Sequence, residues 1–141
     1  MPSMSACLLG SINLSEYVLY PFTPDARFDF NSLEKDVYIY VKALNECLQE
    51  NIPFLPVQEQ KDAANKYRAI GLGYFGLADM FIKLGIRYGS EESLELSDAI
   101  GAFVASKAII TSDSLFEEFP TPKLIKDNEE LIYESEFYKK D

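Results

Sequence analysis

The chain contains no histidine, and that absence removes much of ordinary enzyme chemistry. Ser–His triads, Cys–His pairs and His-ligated metal sites are excluded as self-contained devices. Cysteine is scarce too. Only Cys7 and Cys47 are present, too few for the disulfide framework of a small secreted domain. Basic residues are outnumbered, and the formal charge is −10. A basic face for a nucleic-acid backbone is not to be expected from such a balance; a solvated acidic surface is. No apolar run approaches the ~18 residues that span a bilayer. The opening residues, MPSMSACLLGSINL, lack the charged region and long apolar core of a secretory signal. A cytoplasmic protein with no membrane and no nucleic-acid partner is expected.

What remains is ordinary globular material. At 141 residues, 48% hydrophobic and 26% charged, the chain can form one domain with a core. Residues 6–14 form a short apolar run that reads as a buried strand. Pro21, Pro24 and Asp25 mark the connection that follows. A helix is expected over about 32–49, capped by Asn31 with Glu34 three residues on. Its stripe is Leu33, Val37, Val41, Leu44 and Leu48, and Pro53 and Pro56 end it. A longer helix is expected over about 57–84. Its apolar face is Tyr67, Ile70, Tyr74, Leu77, Phe81 and Leu84, and Gly85 is its left-handed cap. Ser90 caps a last helix, about 91–118, with the stripe Leu94, Ile100, Phe103, Val104, Ala108 and Leu115. Residues 123–141 read as a charged, irregular tail.

Gly71, Gly73 and Gly76 spell G-x-G-x-x-G. The dinucleotide fingerprint requires a strand before it and a helix after it. The preceding KDAANKYRA reads as helical and polar, and no alternation of strands and helices is visible. The glycines, with Ala78, are therefore read as small positions on a helix that let another backbone pack closely against it, and no dinucleotide cofactor is expected.

Two segments carry more information. Cys7-Leu8-Leu9-Gly10-Ser11-Ile12-Asn13-Leu14 resembles the C-N-L-G-S-I-N-L signature of ribonucleotide reductase large subunits, with Leu8 where many members have Asn. YRAIGLGYFGLADMFIKLGIRYGS, from Tyr67 to Ser90, is similar to the family's R-x-I-G-L-G-x-x-G-L-A-D segment and its K-L-G-I-x-Y-G-S continuation. Phe119 and Pro120 also fall in family order, and the tail is weaker.

The resemblance implies a segment, 1–122, of the family's ten-stranded α/β barrel. The fold is expected to be mainly α, a helical segment with a short N-terminal strand left without an assigned partner. It implies an oxidoreductase that converts ribonucleoside diphosphates or triphosphates to deoxyribonucleotides by thiyl-radical chemistry. Cys7 matches one of two redox cysteines that reduce the sugar and become a disulfide. Without the resemblance, Cys7 reads first as an inert, buried cysteine in an apolar strand, and only the resemblance reverses that. Cys47 matches neither redox cysteine and is expected in packing or at the surface. The family's radical cysteine, first redox cysteine, effector region and phosphate loop have no counterpart here. The isolated chain is thus expected to be inactive, its partners being the remainder of the subunit and, through it, a ribonucleotide. No metal or cofactor ligands are identifiable, although the Cys7 signature is worded like that of cobalamin-dependent members. Self-association through the exposed strand is expected, and deletion of residues 1–14 should leave the helical signal nearly unchanged. The other reading is a free-standing helical protein–protein interaction module.

Overall fold

The computed structural model describes residues 7–115. Its elements, in chain order, are β1 (Leu8–Asn13), β2 (Val18–Leu19), β3 (Arg27–Phe28), α1 (Phe30–Asn51), α2 (Gln58–Tyr67), β4 (Ile70–Phe75), α3 (Leu77–Leu84) and α4 (Glu91–Ser114). Short 3-10 turns follow β1 and α1, at Leu14–Tyr17 and Ile52–Phe54. The architecture is mainly helical with short strands, and among the described residues no helix is long and apolar enough to cross a membrane. The tail assigned to 123–141, and Phe119 and Pro120, lie outside the described residues.

The first strand has a partner in the chain. β1 pairs with β4 in parallel, Leu8 opposite Ile70 through Asn13 opposite Phe75. Parallel neighbours need a long crossover, here supplied by α1 and α2. β2 and β3 form a small antiparallel pair.

The single helix expected over 57–84 is instead helix, strand and helix. Arg68 adopts the left-handed conformation, φ 44° and ψ 46°, and closes α2. After Ala69, the six residues IGLGYF form β4. Two glycines in a helix interior would cost about 2 kcal/mol relative to alanine. Along β4 the backbone pairs with β1, and the residues Ile70, Leu72 and Tyr74 fall on one face. Their spacing with Leu77 and Phe81 imitates a helical stripe without being one.

α1 starts one residue before the expected Asn31 cap. Asp29 caps it, its Oδ1 accepting from the amides of Asn31 and Ser32 at 3.1 Å each, while Ser32 Oγ donates to Oδ2 at 2.6 Å. A carboxylate at this end also complements the helix dipole. Glu34, expected in a capping box, instead reaches Lys107 of α4 at 2.6 Å. The buried stripe of α1 is Leu33, Val37, Val41, Asn45 and Leu48. Leu44, expected in it, is half-buried and lies over Gly10 of β1.

Ser90 caps α4 by accepting from the Ser93 amide, with Glu91 and Glu92 in the first turn. Leu94 is 65% exposed, so the stripe of α4 is shorter than its sequence suggests; Ser93, Ile100, Val104 and Thr111 are its buried positions, and Leu115 is buried just past its end. Gly85 caps α3 at φ 74°. The main core joins Ile12 and Leu14 to α1, Met80 and Phe81 of α3, and Ile100 and Val104 of α4. A smaller cluster of Leu48, Ile52 and Ala64 packs with Leu8 and Ile70 at the other end of the sheet.

Candidate functional site

The β1–β4 pair has two unlike faces. Alternate residues of a strand point to opposite sides, and directly paired residues share a side. Leu8, Gly10 and Ile12, with Ile70, Leu72 and Tyr74, face the helices. Gly10 lets Leu44 and Tyr40 of α1 close to 3.5 and 3.7 Å from where its side chain would begin. Ile12 is 2% exposed. Leu9, Ser11 and Asn13, with Gly71, Gly73 and Phe75, look the other way. Leu9 is 77% exposed and Phe75 57%, and Ser11 is exposed. No described helix covers this second face.

Cys7 belongs to that open side. It is half-buried and free. Its thiol donates to the Leu8 carbonyl at 3.6 Å. A side chain on Gly71 would begin 3.4 Å from the Cys7 sulfur and 2.6 Å from Leu9 Cδ2. The same construction at Gly73 meets Ser11 Oγ at 3.5 Å. β4 therefore puts no side chain beside the sulfur, and the Leu9 side chain of β1 lies over Gly71.

Both ends of this face are fixed by polar contacts. At the Cys7 end, the Leu8 amide donates to the Ala69 carbonyl at 3.4 Å. The preceding residue, Arg68, is 6% exposed. It donates to Gln49 Oε1 at 2.7 Å and to the Asn45 carbonyl at 3.4 Å, tying the start of β4 to α1. Burial holds its pKa below the usual guanidinium value. At the other end, Asn13 Oδ1 accepts from the Ser15 amide at 3.3 Å. Lys83 of α3 donates to the Ser15 carbonyl at 2.7 Å. Behind the turn, Tyr17 donates to Asp36 Oδ2 at 2.6 Å. Burial first, and the Asp36 carboxylate second, push its phenol well above the ordinary range.

The G-x-G-x-x-G segment needs correcting. The lead-in is the polar helix expected, α2, but the motif itself opens inside a strand, β4, and a helix, α3, follows it. None of its glycines lies inside a helix. Gly71 and Gly73 sit within the paired strand, and only Gly76 makes the turn into α3, at φ 73°. A dinucleotide fingerprint places its first glycine in the turn, where the pyrophosphate meets a helix N-terminus. Gly71 and Gly73 do allow another backbone, β1, to lie close, but they do so from a strand and not from the helix expected to carry them. Cys47 is exposed on α1. Among the described residues, no group of three or more His, Cys, Asp or Glu side chains could hold a metal ion.

Strand periodicity applied to Cys7 would have found Leu9, Ser11 and Asn13. Nothing local in the sequence pointed to Gly71 or Arg68 as neighbours of this site, because both depend on the β1–β4 register.

A parallel strand pair joined through helices, with helices on one face, is the arrangement that α/β folds are built from. Comparison with known families makes this specific. Residues 1–128 match the family model for the ribonucleotide reductase barrel domain, and the chain belongs to that family. It is 37% identical over 113 residues to a vitamin B12-dependent ribonucleoside-diphosphate reductase of Thermoplasma acidophilum, covering 80% of this chain and 14% of that protein. It is 34% identical over 114 residues to a ribonucleoside-diphosphate reductase subunit alpha of Chlamydia pneumoniae, covering 81% of this chain and 10% of that one. It is 32% identical over 114 residues to a ribonucleoside-diphosphate reductase large subunit of Caenorhabditis elegans, covering 81% and 14%. The chain thus spans about a tenth to a seventh of the length of these relatives.

Proposed function

We propose that this segment supplies one of the two reducing thiols of a ribonucleotide reductase catalytic subunit, and that the thiol is Cys7. The observation that carries the reading is the placement of Cys7 beside the uncovered face of β1 and β4, next to bare glycine backbone. A sugar approaching that face meets the sulfur without a side chain from β4 in between. The reaction balances simply. Two thiols give two electrons and two protons, the ribose C2′–OH leaves as water, C2′ gains hydrogen, and the sulfurs join as a disulfide. The partner sulfur must come from outside this segment, with Cα atoms about 4.4–6.8 Å apart. Cys47, exposed on α1, is not given that role.

The substrate class follows the names of the relatives, which are ribonucleoside-diphosphate reductases. A cobalamin, named for some of them, would supply radical initiation. No described residue gathers into a ligand set for its metal, so no step is assigned to it in this segment. The radical-bearing cysteine and the phosphate site are likewise assigned to the remainder of the subunit, which is the partner this segment requires.

The test is made in a complete subunit that carries this segment. Cys7→Ser should stop multiple turnover while leaving the fold intact, and Cys47→Ser should be nearly silent. Equal behaviour of the two variants refutes the role given to Cys7.

A further inference from the structure

The glycine at position 71 is not explained by its backbone. Its φ is outside the left-handed region, where only Gly76, Gly85 and Gly89 lie among the described glycines. A glycine inside a strand costs about 0.5–1 kcal/mol relative to alanine. Conformation therefore gives no reason for it, and space must.

The space is specific. A Cβ at position 71 would stand 3.4 Å from Cys7 Sγ and 2.6 Å from Leu9 Cδ2, with the Leu8 carbonyl at 3.8 Å. The Leu9 contact is with the far end of an exposed side chain, which can swing into solvent. The sulfur is carried on a short side chain immediately before β1 and directed at the Leu8 carbonyl; at 3.4 Å a Cβ would already touch it and so close that side to its rotation. We infer that Gly71 is a positioning residue for Cys7: by presenting no side chain, it leaves the room in which the Cys7 sulfur turns from its resting contact toward a reaction partner. Gly73, one turn of the pleat further on, faces Ser11 rather than the sulfur and has no such role. The functional meaning of this inference rests on the reading of Cys7 as a redox thiol.

Alkylation tests the geometry without assuming the redox role. The full chain is treated with iodoacetamide, and modification of Cys7 and Cys47 is followed separately by peptide mass analysis. Exposed Cys47 is the reference within each molecule. Gly71→Ala should keep the helical circular dichroism and slow Cys7 by about threefold to tenfold against Cys47, as when a side chain is held off its preferred rotamer. Gly73→Ala should leave the ratio unchanged. The slowing should persist in Gly71→Ala combined with Leu9→Ala, because the Cβ–sulfur contact remains. An unchanged ratio in Gly71→Ala, equal slowing in Gly73→Ala, or full recovery with Leu9→Ala overturns the inference. Loss of the helical signal in Gly71→Ala overturns it too, since the backbone should accept alanine. In a complete subunit, Gly71→Ala should lower kcat with little change in KM. Normal turnover in Cys7→Ser would remove the redox reading and leave the alkylation result standing.

Discussion

Gly76 and Gly85 bracket α3 and share a left-handed backbone, φ 73° and 74°. They differ in what surrounds them. A Cβ on Gly85 meets nothing within 4 Å, whereas one on Gly76 collides with Asn13 Oδ1 and comes within 3.5 Å of the Ser15 amide nitrogen. Alanine in the left-handed region costs roughly 1–2 kcal/mol, so that amount is expected of Gly85→Ala. Gly76→Ala carries the same cost plus the displacement of Asn13. Asn13 Oδ1 accepts from the Ser15 amide, and losing such a bond adds about 0.5–1.5 kcal/mol. The total for Gly76→Ala is about 1.5–3.5 kcal/mol. Urea unfolding followed by circular dichroism, with equal slopes in all three proteins, measures both values. A Gly76→Ala loss no larger than that of Gly85→Ala would refute the reasoning. The same variants should show no change in affinity for a nicotinamide or flavin dinucleotide, because no saturable binding is expected.

Two titrating side chains make stability depend on pH. The Tyr17 pKa is raised above its ordinary 10.0, so the folded state holds that proton more tightly than the unfolded chain. Its contribution is full below about pH 10 and is lost as pH rises through the folded value; Tyr17→Phe should flatten the alkaline limb of a stability profile. The Asp29 pKa is lowered, first by the Ser32 hydroxyl, then by the Ser32 amide. Its contribution is present above the unfolded carboxyl value and is lost as pH falls through the folded one, so Asp29→Ala should flatten the acid limb in the same measurement.

Local signals were legible where they acted alone. The apolar run of β1, the stripe of α1, the Ser90 cap and the left-handed Gly85 each follow from one segment's own chemistry. β4 did not follow, because Ile70, Tyr74, Leu77 and Phe81 are spaced three or four apart and a polar helix leads into them. The overlooked signal was compositional. Two glycines among Ile, Leu, Tyr and Phe suit a strand that another backbone approaches, and they weaken a helix. The Asp29 cap was missed because Asn31 and Glu34 offered a plausible box two residues later. At the site, Cys7 was singled out by family resemblance. Its neighbour Gly71 lies 64 positions along the chain, so only the parallel register could reveal it.

That register also changes what removal of the N-terminal strand should do. Had β1 been unpaired, residues 1–14 would be dispensable to the helices. Instead β1 is the partner of β4 along all six of its residues. Ile12 and Leu14, 2% and 0% exposed, stand in the main core beside Val37, Val41, Met80 and Phe81. Truncating one such aliphatic side chain typically costs 2–5 kcal/mol, and two are lost together. The total is comparable with the whole stability of a domain, about 5–15 kcal/mol. β4 would meanwhile lose its strand partner, leaving backbone groups beside the core unpaired. Deletion of residues 1–14 should therefore reduce the helical signal and its cooperative unfolding, and association should increase as apolar surface is uncovered. The check is circular dichroism with sedimentation at several concentrations. A deleted chain that keeps its helicity, its sharp transition and its monomeric state would show that α1, α3 and α4 form a core without β1. It would also remove the physical basis for treating the β1–β4 face as rigid enough to hold Cys7.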